Sequence, residues 1–236
     1  MPFNFLFLKT SLLAAIPNIP VTIAIAIIPM IVGLLLGTVI AVIRIYKVPV
    51  ISQVLHFFVV FYSGIPSMVS LLLFNLIYIT QFTPVEHGGL IVVFLVFVLD
   101  RVVYLSETIR GAFLAIPRGQ YEAAYSAGFT EFQTLRKIII PQIIPILLPP
   151  MTSHIVGAIK NTSIVMVVGV YDVLNSALKP CMDTYSFIEG YVAAALIYWA
   201  INALIEFVCS RLEGKVKLEK KTKKINLASI GENKYV

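Results

Sequence analysis

Charge is scarce in this chain. Only 13% of its 236 residues are Asp, Glu, Lys or Arg, against roughly a quarter in soluble domains, so much of its surface must face something other than water. Cysteine is rarer still: Cys181 and Cys209 stand in different kinds of segment, one in a loop and one in an apolar run, which leaves no disulfide framework and no metal-ligand spacing. The three histidines, His56, His87 and His154, form no pair at ligand spacing, so no metal site is read. No GxxxxGK[ST] phosphate loop is present, and the chain alone therefore lacks the means to draw energy from ATP. The N-terminal MPFNFLFLKTSLLAAIP has no basic residue ahead of its apolar stretch, carries Lys9 within it and lacks a small-x-small cleavage site. Residues 1–19 are accordingly read as a mature interfacial segment and not as a signal peptide. Internal repeats and low-complexity tracts are absent too, which excludes an array architecture.

What is abundant is hydrophobicity, at 59%. Apolar runs at 20–43, 54–79, 88–108, 138–170 and 187–209 are each long enough, at 1.5 Å per residue, to cross a hydrocarbon core of about 30 Å. The simplest reading is an all-α membrane protein of about five transmembrane helices forming one domain over 20–210. The formal charge of +6 does not point to nucleic acid, because seven of the 18 basic residues fall between Arg211 and Lys224, just after the last apolar run. That makes 211–236 a basic membrane flank, read as a solvated cytoplasmic tail. Arg44 and Lys47 follow the first run and Arg110, Arg118, Arg136 and Lys137 follow the third, whereas the opposite side holds only Lys9 and Lys179. The positive-inside rule then puts the N-terminus outside and the C-terminus in the cytoplasm.

Several residues inside these runs call for an explanation. Gly33 and Gly37 share a helix face and admit a close neighbour, either within the chain or from another subunit. Pro141, Pro145 and Pro149, with Pro150, must distort the fourth run. That distortion either exposes backbone to a polar path or is ordinary bending. Charges in lipid cost roughly 2.5–3.5 kcal/mol each. Asp100 is therefore read as facing the path or neutralising Arg101, while Arg101, Glu107 and Lys160 are read as snorkelling or pairing near the cytoplasmic end. His154 reads as a hydrogen-bonded packing residue, and Tyr198 and Trp199 as interfacial or packing aromatics. Ser153 and His154 do not face one another on a helix and no G-x-S-x-G element accompanies them, so no catalytic residue is assigned.

The most informative stretch is the loop 117–137, which reads as helix, stop, helix. Pro117 biases the third span to end at Ile116, Gln120 to Ala127 are good helix formers, and Gly128 supplies a permissive stop. Thr130 and Gln133 match a capping box, so a second helix starts at Glu131 and runs into the fourth span. Within it, Glu122-Ala123-Ala124, then Gly128, then Ile138-Ile139-Ile140-Pro141 resemble in order and spacing the EAA loop of binding-protein-dependent ABC importer permeases. Ile116-Pro117-Arg118-Gly119-Gln120 resembles the IPxGQ lead-in of the polar amino-acid importer family. Tyr104, Glu107, Arg110 and Gly111 resemble its AYxxExxRG stretch, Pro149-Pro150 its PP pair and Lys160-Asn161-Thr162-Ser163 its LKxTS segment. The likeness covers roughly residues 20–210.

The resemblance implies the type I ABC importer permease architecture in a prokaryotic plasma membrane. It implies an ATPase-coupling face at Gly119, Gln120, Glu122, Ala123, Ala124, Ala127, Gly128, Phe129 and Pro141. It implies a substrate pathway touching Ser63, Gly64, Asp100, Tyr104, Lys160, Asn161, Thr162 and Ser163. The implied partners are two ABC ATPase subunits that carry ATP and Mg, a second permease subunit (identical or homologous), an extracellular solute-binding protein and an amino-acid substrate. The chain itself would bind no cofactor. It departs from the pattern at Asp100-Arg101-Val102-Val103, where relatives often show Asn-Ser-Ala-Ala, at Tyr62-Ser63-Gly64-Ile65-Pro66 in place of an RGTP-like turn, and at Asn161, where many carry Asp. The competing reading, a secondary transporter or channel that needs no ATPase, gives no reason for a capped cytoplasmic helix and favours matched halves that this sequence lacks.

Overall fold

A computed structural model describes residues 3–83 and 88–232, with side chains up to 215; His87 and the end of the tail lie outside the described residues. Every regular element in it is helical, as lipid requires of a chain whose backbone must satisfy its own hydrogen bonds. Helix α1 (Phe5–Ala15) passes through one 3-10 turn into α2 (Ile19–Ile45), so the first run extends back to Phe5 as a helix of 41 residues. Helices α3 (Ile51–Ser63) and α4 (Ser67–Gln81) follow, then α5 (Gly88–Leu114) and the short α6 (Arg118–Ser126). The fourth run is α7 (Glu131–Thr134), a π segment over Leu135–Ile139, α8 (Ile140–Asn161) and a 3-10 stretch over Thr162–Val168. Helix α9 (Val173–Leu178) precedes the last helix, α10 (Phe187–Glu232), which carries the tail onward as helix.

Four helices among the described residues are long and apolar enough to cross a bilayer. The second run, read from sequence as one span, is the pair α3 and α4 bent by 100°, which brings the count to five where the pair is taken as one broken span. The cause of the bend is local. Gly64 ends α3, and Ile65 is forced out of helical geometry by Pro66, whose ring then opens α4. The fourth run is distorted as its prolines imply, though α8 itself continues as helix through Pro145, Pro149 and Pro150. Its irregularities lie on either side, and the π segment covers Lys137, the residue whose carbonyl Pro141 would strike in a regular helix.

Contacts divide the chain into two units. The first comprises Met1–Gly111 and His154–Asn202. Its largest core joins Ile25 of α2, Leu71 of α4, Val93, Val96 and Phe97 of α5, and Val165 of the 3-10 stretch. A second cluster joins Ala15, Val173, Ala177, Ala193, Ala194 and Ile197, seating α1 on α9 and α10. The other unit, Ala112–Ser153 and Ala203–Val236, has its core at Ala112, Ile116, Ile139 and Ile143.

The glycine pair sits inside the first unit. A Cβ on Gly33 would overlap the Arg101 Cβ and approach its carbonyl carbon to 2.9 Å, and one on Gly37 would meet the Ser106 nitrogen and Val102 oxygen at 3.0 Å. The subunit-contact alternative for this motif therefore gives way to intrachain packing of α2 on α5. Position numbers rise together along the two helices, so they run parallel and the bent α3–α4 segment between them must return the chain. Gly33→Val is expected to force α2 off α5 and to cost roughly 1–3 kcal/mol, read as a fall in the thermal midpoint of the purified chain in detergent.

Candidate functional site

Local chemistry fixes the loop at both ends. Pro117 opens α6, and the Gln120 amide donates to its carbonyl at 3.0 Å. At the other end Gly128 takes φ +78°, a conformation that costs a residue with a Cβ about 1–2 kcal/mol. The Phe129 N–H then reaches the Ala124 carbonyl at 3.1 Å and the Gly128 N–H the Tyr125 carbonyl at 2.9 Å, a Schellman closure of the last turn. Two residues later the capping box is complete: Gln133 N–H donates to Thr130 Oγ1 at 3.3 Å, and Thr130 N–H donates to Gln133 Oε1 at 3.0 Å.

Helix α6 lies on the core of its unit through Tyr121, which packs with Ala112, Ile116, Ile139 and Ile143, and through Ala124, only 3% exposed. Burial and the neighbouring Tyr125 hold the Tyr121 phenol above its ordinary pKa. Gly119, Glu122, Ala123, Ala127 and Gly128 are exposed. Phe129 is half-buried under the Lys137 ammonium, 5.7 Å from its ring, and Pro141 is exposed at the start of α8. Two members of the implied coupling face also make contacts within the unit. Ala124 packs inward, and Gln120 accepts a 3.1 Å bond from Gln142 Nε2, which also donates to the Ile138 carbonyl at 2.8 Å. Gln142 was not singled out in the sequence; its position one residue after Pro141 was the available signal.

The residues implied for the substrate pathway fall into groups within the first unit. Ser63 and Gly64 form the α3–α4 bend, with Ser63 Oγ donating to the Val60 carbonyl at 2.9 Å. Asp100 is 2% exposed and lies near Tyr62 and Ser67, from either side of that bend; among the described residues its Oδ2 accepts no hydrogen bond. Arg101 turns elsewhere, donating to the His154 carbonyl at 3.4 Å and lying 5.8 Å from the half-exposed ring of Tyr104. His154 bonds Thr108 at 2.7 Å, in keeping with a packing role.

Lys160 to Ser163 form a separate group at the junction of α8 and the 3-10 stretch. Lys160 is exposed, Asn161 half-buried, and Ser163 Oγ donates to the Lys160 carbonyl at 2.9 Å. Thr162 is fully buried, 3.1 Å from the Tyr198 hydroxyl, which itself donates to Asp172 Oδ2. Asp172 caps α9 by accepting the Asn175 N–H at 2.9 Å; burial pushes its carboxyl above the usual range while these donors hold it down. Tyr198 is thus the packing aromatic of the two, set against the cluster of Ala193, Ala194 and Ile197 with its hydroxyl in this network, whereas Trp199, 71% exposed, has the interfacial character. The Asp-x-x-Asn cap was legible locally, the Tyr198 partner was not.

The charges of the third run are resolved as well. Glu107 pairs with Arg44 of α2 and accepts from Arg110 Nη2 at 2.8 Å and Nε at 3.1 Å, while Arg44 Nη2 lies 2.8 Å from His56 Nδ1 of α3. Arg44, read as a flanking cation, is nine-tenths buried in this cluster. Among the described residues no group of side chains is suited to hold a metal.

Long apolar helices interrupted by a rigid, doubly capped loop with an exposed small-residue face define a multi-pass membrane permease. Residues 33–218 match the family described as the binding-protein-dependent transport system inner membrane component. The chain belongs to that family, whose members are permease subunits of ABC transporters in the cell membrane. It is 30% identical over 219 residues to the probable amino-acid ABC transporter permease PatM of Vibrio harveyi, covering 92% of this chain and 97% of that one. It is 30% identical over 202 residues to the probable amino-acid permease YxeN of Bacillus subtilis, covering 84% and 89%. A crystal structure of an amino acid ABC transporter with histidines superimposes with a TM-score of 0.82 at 26% identity, over 91% of this chain and all of the other.

Glu107→Gln strips the Arg44 guanidinium, whose side chain is 5% exposed, of its carboxylate. Thermal unfolding in detergent should show a loss of roughly 1–3 kcal/mol, less than a fully buried pair because Glu107 keeps access to water.

Proposed function

We propose that this permease carries a polar amino acid or close derivative, delivered by an extracellular solute-binding protein, by alternating access driven through α6. In this reading two ABC ATPase subunits receive the loop 117–137 and carry the ATP and Mg. A second permease subunit, identical or homologous, completes the path, with the N-terminus outside and the C-terminus cytoplasmic. The observation that carries the reading is the construction of α6: closed at one end by the Schellman turn, followed by a capping box, seated on its unit's core and exposing Glu122, Ala123, Ala127 and Gly128. Small residues let a partner groove approach the backbone, and a clamped helix passes a push into the spans on either side of it. The amino-acid class is supported by relatives named for amino-acid, L-cystine and octopine transport.

The test is to isolate the tagged chain from its native membrane in mild detergent and assay ATPase activity in the eluate. Ala123→Asp with Ala127→Asp places two charges on the exposed face and leaves the buried Ala124 intact. Wild type should bring down ATPase activity and the double variant should lose it at unchanged membrane insertion. Ion-driven uptake by the purified chain alone, with no ATPase bound, would refute the reading. In the same assay Gly128→Val, which forces a β-branched residue to φ +78°, should abolish transport while the chain still inserts.

A further inference from the structure

A cavity of about 580 Å³ opens where the first turn of α1 meets the start of α10. Phe3, Phe7, Tyr185 and Ile188 supply its apolar wall, and Asn4 and Glu189 its polar one. None of these residues belongs to the coupling loop or to the segments implied for the substrate path. The volume falls within the range of small-molecule sites, about 300–1,000 Å³.

Glu189 sets what the cavity would hold. It is 6% exposed, and its Oε1 accepts the Asn4 N–H at 2.7 Å. Among the described residues no Lys, Arg or His forms an ion pair with it. A backbone N–H and the first turn of α10 set partial positive charge beside this side chain, and a buried acidic group is best complemented by an opposite charge. The surrounding rings suit a cation as well, since an ammonium over an aromatic face gains about 0.5–2 kcal/mol. They are partly pre-set: Phe3 packs edge-on to Phe5 at 5.3 Å, and Tyr185 is held at φ +55° with its ring 6.3 Å from Phe187.

The rim decides between a soluble and a lipid source. Phe5 (77% exposed), Leu6 (69%) and Ile188 (67%) continue the wall outward as uncovered apolar surface at the end of a membrane-spanning helix. Such a surface is covered by acyl chains. The geometry points to a headgroup site for an ammonium-bearing phospholipid, with the amine against Glu189 among the Phe3, Phe7 and Tyr185 rings and the chains along the Phe5 and Leu6 face. An anionic headgroup would set its charge near the carboxylate, and a soluble amine would forgo the apolar rim. The site requires the membrane placement of the chain and not the coupling reading.

The test is native mass spectrometry of the intact transporter released from detergent, titrated with phosphatidylethanolamine or phosphatidylglycerol of identical chains. Wild type should retain the ethanolamine lipid at least about tenfold better, a difference of 1.4 kcal/mol, and Glu189→Gln should remove that preference. Phe7→Leu, which leaves the Glu189–Asn4 bond in place, should weaken retention several-fold in a complex that stays monodisperse on size exclusion, so the proposal is read even if the Glu189 variant fails to assemble. Equal retention of the two lipids by wild type, undiminished preference in an assembled Glu189→Gln complex, or undiminished retention of the ethanolamine lipid by an assembled Phe7→Leu complex, overturns the site. Displacement of the lipid by millimolar free ethanolamine overturns the lipid as its occupant.

Discussion

The approach of α2 to α5 at Gly33 and Gly37 is the contact on which the first unit depends. Two glycines four apart clear one helix face, and the backbone of α5 comes close enough that any Cβ would collide with it. In lipid this proximity cannot be driven by hydrophobic burial, since acyl chains are as apolar as leucine; it comes from dispersion and from the bonds that closeness allows. The Arg44–Glu107 pair is one such bond. Arg44 stands two turns beyond Gly37 on the same helix, and its long stem leans back toward the turn before it, where Glu107 lies. With Glu107 also holding Arg110, a carboxylate in an apolar run becomes a junction of three helices, because His56 brings in α3.

A second constraint governs every place where a helix is interrupted. Backbone groups at membrane depth must find partners within the protein, and around the end of the 3-10 stretch and beside the π segment side chains provide them. Thr22 Oγ1 accepts the Val173 N–H at 3.0 Å, and Asn175 Nδ2 donates to the Val170 carbonyl at 3.1 Å where the 3-10 stretch has ended at Gly169. Asp172 caps the short helix that follows and is itself held by Tyr198. Next to the π segment, Gln142 serves the Ile138 carbonyl. Thr162, buried at the end of α8, joins that helix to α10 through the Tyr198 hydroxyl.

These two constraints also explain what could be read in advance. The loop was legible nearly residue by residue, because Pro117, Gly128 and the Thr130–Gln133 pair act on their immediate neighbours and need no knowledge of the fold. The helical class was legible because apolar runs of this length admit no other backbone. The bend at Gly64-Ile65-Pro66 had its signal in plain view, yet an average over the run 54–79 smooths out a break of three residues. Partners far apart in the chain were another matter. Arg44 with Glu107, Tyr198 with Asp172 and Gln120 with Gln142 are bonds set by helix register, and no spacing rule encodes them. The proline run was legible only in part for a similar reason, since where its distortion falls, at a π turn before Pro141, depends on how the preceding residues pack.

The division of labour inside Glu122-Ala123-Ala124 follows from helix geometry alone. Successive residues are turned by about 100°, so two adjacent alanines cannot both face a partner, whereas Ala123 and Ala127, one turn apart, can. The structure puts Ala124 inward at 3% exposure and leaves the other two outward. Each is needed for a different reason. A larger residue at 124 would lift α6 from the core under Tyr121, and in the proposed coupling role a larger one at 123 or 127 would hold the partner away from the backbone. A nine-residue helix is too short to persist in water unaided. Its Schellman closure and its inward alanine therefore hold the outward pair in a fixed shape, which is what the proposed coupling role requires of it.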